Sequence, residues 1–296
     1  MTSAAPKVTI ILPTYNWSAV LPFSIASALD QSFGDFELIV VGDGCTDDSG
    51  DVVGSVGDPR VRWVNLDSNV GHQSGPNNEG LRRARGELVA YLGHDDLWLP
   101  HHLGCLVAAI ESGADMAFGV VRMVPADPEL QRAALAERYR PGMWIAPTAT
   151  VHRRALTRRL GGWKDYRGLV VDPETELWSR FHAAGARIDP VSRLTAVKFP
   201  ASARRGVYRE RPSHEQSEWL ERIRREPDLE AVELARAAAE MATAALEPPF
   251  RALLAQLLRR GFRGAGRRLG RREPGPRPGE SIARRRAFKG LAGGEA

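Results

Sequence analysis

The chain alternates short apolar runs with helically spaced stretches. "KVTIILP" (7–13) ends in a turn-forming segment and predicts a buried strand. Residues 18–30 follow, with Val20, Leu21, Ile25, Ala28 and Leu29 along one side, and predict a helix. "FELIVVG" (36–42) and "VRWVNL" (61–66) repeat the strand pattern. "GPNNEGLRRARG" predicts a helix with Gly86 as its C-terminal stop, and "ELVAYLG" (87–93) a fourth strand. This rhythm predicts an α/β fold: a doubly wound, mostly parallel sheet with helices on both faces and ligands at the carboxyl ends of its strands.

The second half is less regular. Residues 115–121, 143–151 and 193–199 read as strands, and 173–185 as a helix ended by Gly185. From Pro212 to about Leu258 the pattern is helical. From Gly261 onward Gly, Pro and Arg dominate, a composition that predicts disorder.

Composition adds one asymmetry. The net charge is +5, yet residues 251–296 hold 13 Lys and Arg against 3 Asp and Glu. The remaining 28 basic and 33 acidic residues give the body a net charge of −5, so the basic surplus is all in the tail. Such a tail is attracted to anionic lipid surfaces, with no specific nucleic-acid signature beside it. The two cysteines form no metal-type pair, and the N-terminus has no signal-peptide pattern. No run approaches the about 18 apolar residues of a transmembrane helix. A cytoplasmic protein, peripheral at the inner membrane face, is the expectation.

Three acidic loops follow predicted strands: Asp43 in "VVGDGCTDDS", Asp95-Asp96 in "YLGHDDLWLP", and Asp172, Glu174 and Glu176 in "VVDPETELW". In a doubly wound sheet these loops share one edge. Gathered acids repel unless a cation or proton neutralises them. A small set of oxygen ligands suits Mg²⁺ or Mn²⁺, which complete their shell with water and substrate phosphates. Glu176 reads as a salt-bridged helix face, and Trp98 and Trp178 as packing residues. There is no phosphate-binding P-loop, no dinucleotide fingerprint and no nucleophile elbow. Phosphates would instead meet the metal and side chains such as Lys198, Arg204 or Arg205.

Taken in order, "VTIILPTYN", "FELIVVGDGCTDDS", "SNVGHQSGPNNEGLRRARGELVAYLGHDDLWLP" and "DPETELWSR" resemble an inverting, family 2 type glycosyltransferase of the GT-A fold. The resemblance covers roughly residues 7–200. It implies a hexosyltransferase-like enzyme that uses a nucleotide-sugar donor of UDP or GDP type and a divalent metal. The sugar would pass to a saccharide, lipid-linked or small-molecule acceptor, in polysaccharide or glycolipid biosynthesis. Pro13, Thr14 and Tyr15 match the loop that meets the nucleoside; Asp43 matches the base-binding acid, and Asn78 a donor-site asparagine. Asp95 matches the metal ligand, with Asp96 following it at the donor, and Glu174 the catalytic base, with Asp172 as the alternative. The chain departs from the family at two acids, replaced by Gly42 and Gly93, and at an arginine, replaced by Asn77.

The implied domains are a GT-A unit over 1–210, divided into a nucleotide-sugar-binding half (1–100) and an acceptor half (101–210). A helical extension (211–260) and a basic, disordered tail (261–296) follow. The competing readings are a catalytically inactive nucleotide-sugar-binding or scaffold protein and a sugar-phosphate nucleotidyltransferase.

Overall fold

The computed structural model describes residues 5–124, 132–134, 138–201, 204–246, 279–289 and 291. Among them, four strands form a parallel unit: β1 (Val8–Thr14), β2 (Phe36–Gly42), β3 (Val61–Asn65) and β4 (Leu88–Tyr91). Their order is β3-β2-β1-β4, in register Ile10↔Leu38 and Ile10↔Ala90 around the central strand. The apolar runs are continuous because both faces of this sheet are covered. Residues of one parity (Ile10, Leu12, Leu38, Val40) pack against α1 (Leu21–Leu29) and α4 (His102–Glu111) through Leu21, Ile25, Leu103 and Leu106. The other parity (Ile11, Ile39, Val41, Val89) faces Leu81 of α3 (Ser74–Arg83) and Leu177, Trp178 and Phe181 of α6 (Pro173–Ala183). Each of these fully buried aliphatic side chains contributes roughly 1.5–3 kcal/mol relative to exposure.

Two further helices complete this half and its neighbour: α2 (Ser49–Gly54) and α5 (Arg154–Arg159). Beyond β4 the sheet becomes mixed. The order continues β8 (Thr150–Arg153), β6 (Met116–Met123), β9 (Ile188–Lys198), β5 (Leu97–Trp98), with β7 (Arg132–Ala134) on β6. β8 runs antiparallel to β4 and β6, while β6 and β9 are parallel. Helices α7 (Val207–Glu210), α8 (His214–Arg225) and α9 (Leu229–Leu246) follow. Trp219, Leu220 and Ile223 of α8 pack on Leu97, Val197 and Phe199. Among the described residues no helix is long and apolar enough to cross a membrane.

The structure corrects the sequence reading in three places. The expected strand over 143–151 is a loop closed by a 3-10 turn at Pro147–Ala149, and only Thr150–Arg153 pairs as strand. Pro147 offers no N–H to a ladder, and the loop's Ile145 carbonyl accepts from the Trp178 indole instead. Gly86 does not stop α3, which ends at Arg83. It lies against β1, where a Cβ would stand 2.5 Å from the Thr9 nitrogen. The third correction is α10 (Glu280–Phe288), a helix within the tail expected to be disordered. The rest of that expectation, over 261–278, 290 and 292–296, lies outside the described residues, as does 247–260 of the helical extension.

Trp98 and Trp178 are fully buried. Their indoles donate to the Thr148 and Ile145 carbonyls, and Trp98 stacks on His102 at 4.1 Å, which accounts for both as packing residues.

Candidate active site

The carboxyl ends of β1, β2 and β4 converge on a cavity of about 440 Å³, the size range of small-molecule sites. Pro13, Thr14 and Tyr15 line it after β1, Asp43 after β2, and Gly93, His94 and Asp95 after β4. The rest of the wall is assembled from distant segments, among them Trp144, Asp172, Glu174, Lys198, Tyr208, and Ile282, Arg285, Arg286 and Lys289 of the tail helix and its end.

Asp43 is buried, and its carboxylate holds a loop. Oδ1 accepts the Val70 N–H at 2.8 Å; Oδ2 accepts the Gly71 N–H at 2.9 Å and the Asn69 amide at 3.1 Å. Burial raises its pKa against the opposing pull of those N–H groups. Gly42 before it cannot carry the family's acid here, because a Cβ would meet Trp63 at 2.6 Å and the Asn65 side chain.

Asp95 and Asp96 have separate surroundings. Asp96 does not line the cavity. Its Oδ2 accepts from Lys198 Nζ at 2.9 Å and its Oδ1 from the Phe199 N–H at 3.2 Å. It therefore holds the Lys198 ammonium beside the cavity and is not itself part of the lining. Asp95 lines the cavity, where the charges of Lys198 and Lys289 act on it. Burial raises its pKa, and those cations oppose the rise. A Cβ at Gly93 would lie 2.5 Å from Asp96 Oδ2, so the missing first acid has no room beside Asp96 as it stands. His94 is committed on both nitrogens, 3.0 Å from Thr14 Oγ1 and 3.4 Å from Tyr208 OH. Burial holds its pKa down at about 4.

Glu174 sits in the first turn of α6, almost fully buried. Oε1 accepts the Trp144 indole N–H at 3.0 Å, and Oε2 lies 3.4 Å from the Gln73 amide. Burial raises its pKa, and neighbouring Asp172 adds to the rise. Asp172 is paired with Arg285 of α10. Glu176 is paired with Lys164 at 2.7 Å and Arg180 at 2.8 Å, away from the cavity, as its position on the helix face implied.

Asn78 is not part of the cavity. Its amide bonds both backbone groups of Trp163, accepting from the N–H and donating to the carbonyl, each at 2.8 Å. That pairing fixes the loop around Trp163 to α3. Of the cations expected at phosphates, Lys198 lines the cavity. Arg204 is buried against Glu215 at 2.7 Å and the Val124 carbonyl, and Arg205 is exposed outside it.

The sequence reading missed Gln73, Trp144, Tyr208 and the tail helix. One signal was present: Ile282, Arg285, Arg286 and Lys289 fall at i, i+3, i+4 and i+7, the spacing of a single helix face. Burial lowers the Lys289 pKa to about 8, with nearby Asp95 opposing.

A four-stranded parallel half joined to a mixed sheet, with acids over a cavity at the carboxyl edge, is the GT-A arrangement. The chain belongs to the family described as "Glycosyl transferase family 2", whose model matches residues 9–164. It is 35% identical over 119 residues to the GalNAc(5)-diNAcBac-PP-undecaprenol beta-1,3-glucosyltransferase of Campylobacter jejuni, covering 38% of each chain. It is 32% identical over 92 residues to the UDP-Glc:alpha-D-GlcNAc-diphosphoundecaprenol beta-1,3-glucosyltransferase WfaP of Escherichia coli, covering 31% of this chain and 36% of that one. The match thus spans little more than a third of the length of these curated relatives. Among solved structures, S. aureus TarS 1–349 with UDP-GlcNAc superposes with a TM-score of 0.55 at 20% identity, covering 79% of this chain and 71% of that one. The mannosyltransferase PcManGT of Pyrobaculum calidifontis, with GDP-Man and Mn²⁺, gives 0.54 at 21% identity, covering 97% and 86%.

Proposed function

We propose that this chain transfers a sugar from a nucleoside diphosphate sugar to an acceptor hydroxyl, with inversion, and that Glu174 is the base. The observation that carries this reading is the state of Glu174. Its carboxylate is buried in the cavity wall, oriented by the Trp144 indole, with a raised pKa and no cation paired to it among the described residues. A base tuned upward by burial suits proton abstraction near neutral pH. Asp172, neutralised by Arg285, is the poorer candidate.

The nucleoside would rest on Pro13, Thr14 and Tyr15, with Asp43 shaping the 69–71 loop around it. As the acceptor O–H gives its proton to Glu174, its oxygen bonds the anomeric carbon. The bond from that carbon to the diphosphate breaks on the opposite face, and the nucleoside diphosphate leaves. No covalent sugar–enzyme intermediate forms.

A divalent cation fits the donor set in one minimal form. Asp95 is the one carboxylate of its loop facing the cavity, since Asp96 is taken by Lys198 and both His94 nitrogens are engaged. No three His, Cys, Asp or Glu side chains among the described residues converge on a metal position. Asp95 would be the one protein ligand of a bound Mn²⁺ or Mg²⁺, which would supply positive charge to offset that of a diphosphate leaving group.

The UDP-GlcNAc and GDP-Man of the structural neighbours support a UDP- or GDP-type donor, and the undecaprenol diphosphate in the names of the curated relatives supports a lipid-linked acceptor. A cytoplasmic enzyme working at the anionic inner leaflet agrees with such an acceptor and with the basic 251–296 segment. The test is a thermal-shift and transfer screen of UDP- and GDP-sugars, with and without Mn²⁺. Stabilisation by one nucleotide and transfer from its sugar are expected. No response to any nucleotide would sink the reading.

A further inference from the structure

The helix α10 is a wall of the cavity and is tied to the body on several sides. The Gly206 N–H donates to the Phe288 carbonyl at 2.9 Å, and the Tyr208 N–H to the Lys289 carbonyl at 3.1 Å. At its other end the Gly279 N–H donates to the Leu169 carbonyl at 2.7 Å. Ile282 is buried, and Arg285 pairs with Asp172.

The cations on this wall have unequal employment. Arg285 is spent on Asp172. Arg286 lies over the Gly71 backbone, close enough to Asp43 to act on its charge. The Lys289 ammonium has no hydrogen-bond or ion-pair partner among the described residues, although it is half-buried in the cavity lining, where the charges of Asp95, Lys198, Arg285 and Glu174 act on it. A half-buried ammonium that is paired with no carboxylate, with two further cations acting on it, gains when an anion binds beside it. With the helix in place a cavity of about 440 Å³ remains, so the helix does not fill the space. The open space runs from the Asp43 loop, where the nucleoside would lie, to Asp95 and Glu174, where the sugar would react. The linking group of the donor must cross between them, and that group is a diphosphate.

We propose that Lys289 and Arg286, together with Lys198, bind the diphosphate of the donor, so that the C-terminal segment completes the donor site. This rests on the donor being a nucleoside diphosphate sugar. Arginine presents a planar fork of N–H donors to phosphate, and lysine a compact point charge. This cationic wall supplies much of the neutralisation that a site with one free acid leaves to a metal.

The test is a calorimetric titration of the full-length protein in chelator, then in Mn²⁺, with UDP, GDP, the matching nucleoside and a short polyprenyl diphosphate. Wild type is compared with Lys289→Ala, Lys289→Arg and Arg286→Ala, each first checked for an unchanged melting temperature. The expected result is nucleoside diphosphate binding that persists in chelator. Its affinity falls at least tenfold in Lys289→Ala and Arg286→Ala and recovers in Lys289→Arg, while nucleoside affinity is unchanged. Equal affinities in wild type and variants would overturn the wall's role and leave the enzyme reading standing. Tighter binding in the variants would make the helix a plug and overturn the proposal. A loss confined to the polyprenyl diphosphate would assign the wall to the acceptor and overturn the donor assignment. If wild type binds no nucleoside diphosphate under either condition, the functional reading falls, and this proposal with it.

Discussion

The two sides of the cavity are built differently. The floor comes from one compact stretch, where each strand of a parallel unit ends in a short loop and places Pro13–Tyr15, Asp43 and Gly93–Asp95 along one edge. The facing wall draws Trp144, Glu174, Lys198, Tyr208 and Lys289 from five separate segments of the second half. On the floor, Asp43 holds the 69–71 loop and Asp95 faces the cavity. The wall carries the cations and Glu174, a buried carboxylate with no cation paired to it among the described residues. Affinity for the nucleoside should therefore belong to the floor, and chemistry and diphosphate charge to the wall.

The largest expected effect breaks the wall and spares the floor. Glu174→Gln should lower transfer by roughly 10²–10⁴-fold, the usual share of a general base, with nucleotide affinity unchanged. Single-turnover transfer beside equilibrium nucleotide titration checks it. In wild type the pH profile carries the same signature. The base works only when deprotonated, and its pKa is raised by burial, so transfer should fail on acidification at a higher pH than an exposed glutamate would give. That acidic limb should be missing from the residual activity of Glu174→Gln.

A smaller effect is expected when the family's acid is restored to the floor. In Gly93→Asp the new Cβ meets Asp96 Oδ2 and disturbs its pair with Lys198. Overpacking of this kind costs about 1–3 kcal/mol, read as a lower midpoint in denaturant. Mn²⁺ affinity should not rise. A Gly93→Asp protein that keeps its stability and binds Mn²⁺ more tightly would show that the missing acid, and not the cationic wall, defines this site.

The smallest effect separates the floor from the scaffold beside it. Asn78→Ala removes the two hydrogen bonds to Trp163 and should cost about 1 kcal/mol of stability, leaving nucleotide affinity as in wild type. A tenfold loss of donor affinity in this variant would return Asn78 to the donor site.

The floor was legible in the sequence because its residues are local. Strand-length apolar runs end in turn residues, and a parallel sheet sends those ends to one edge, so Pro13, Thr14, Tyr15, Asp43 and Asp95 could be placed together from pattern and resemblance. Asn78 and Asp96, expected at the donor, do not line this cavity, for a specific reason: position in a motif says which loop a side chain is on, but not which way it turns. Asp96 turns toward Lys198, and the Asn78 amide toward the Trp163 backbone. The wall was largely illegible. Glu174 was readable as an acid opening a helix, but the indole that orients it is 30 residues away in a loop that read as a strand. α10 was hidden because Gly, Pro and Arg dominate the residues before it, although its own face has helical spacing.

The measurement that tests the account most directly is a crystal structure of the full-length protein with the nucleoside diphosphate it binds best. The nucleoside is expected on Pro13–Tyr15 beside the Asp43-held loop, and the diphosphate between Asp95 and Lys289, with Glu174 open to the space beyond. Density for the nucleotide outside this cavity, or within it with α10 displaced and no cation of the wall on the diphosphate, would contradict it.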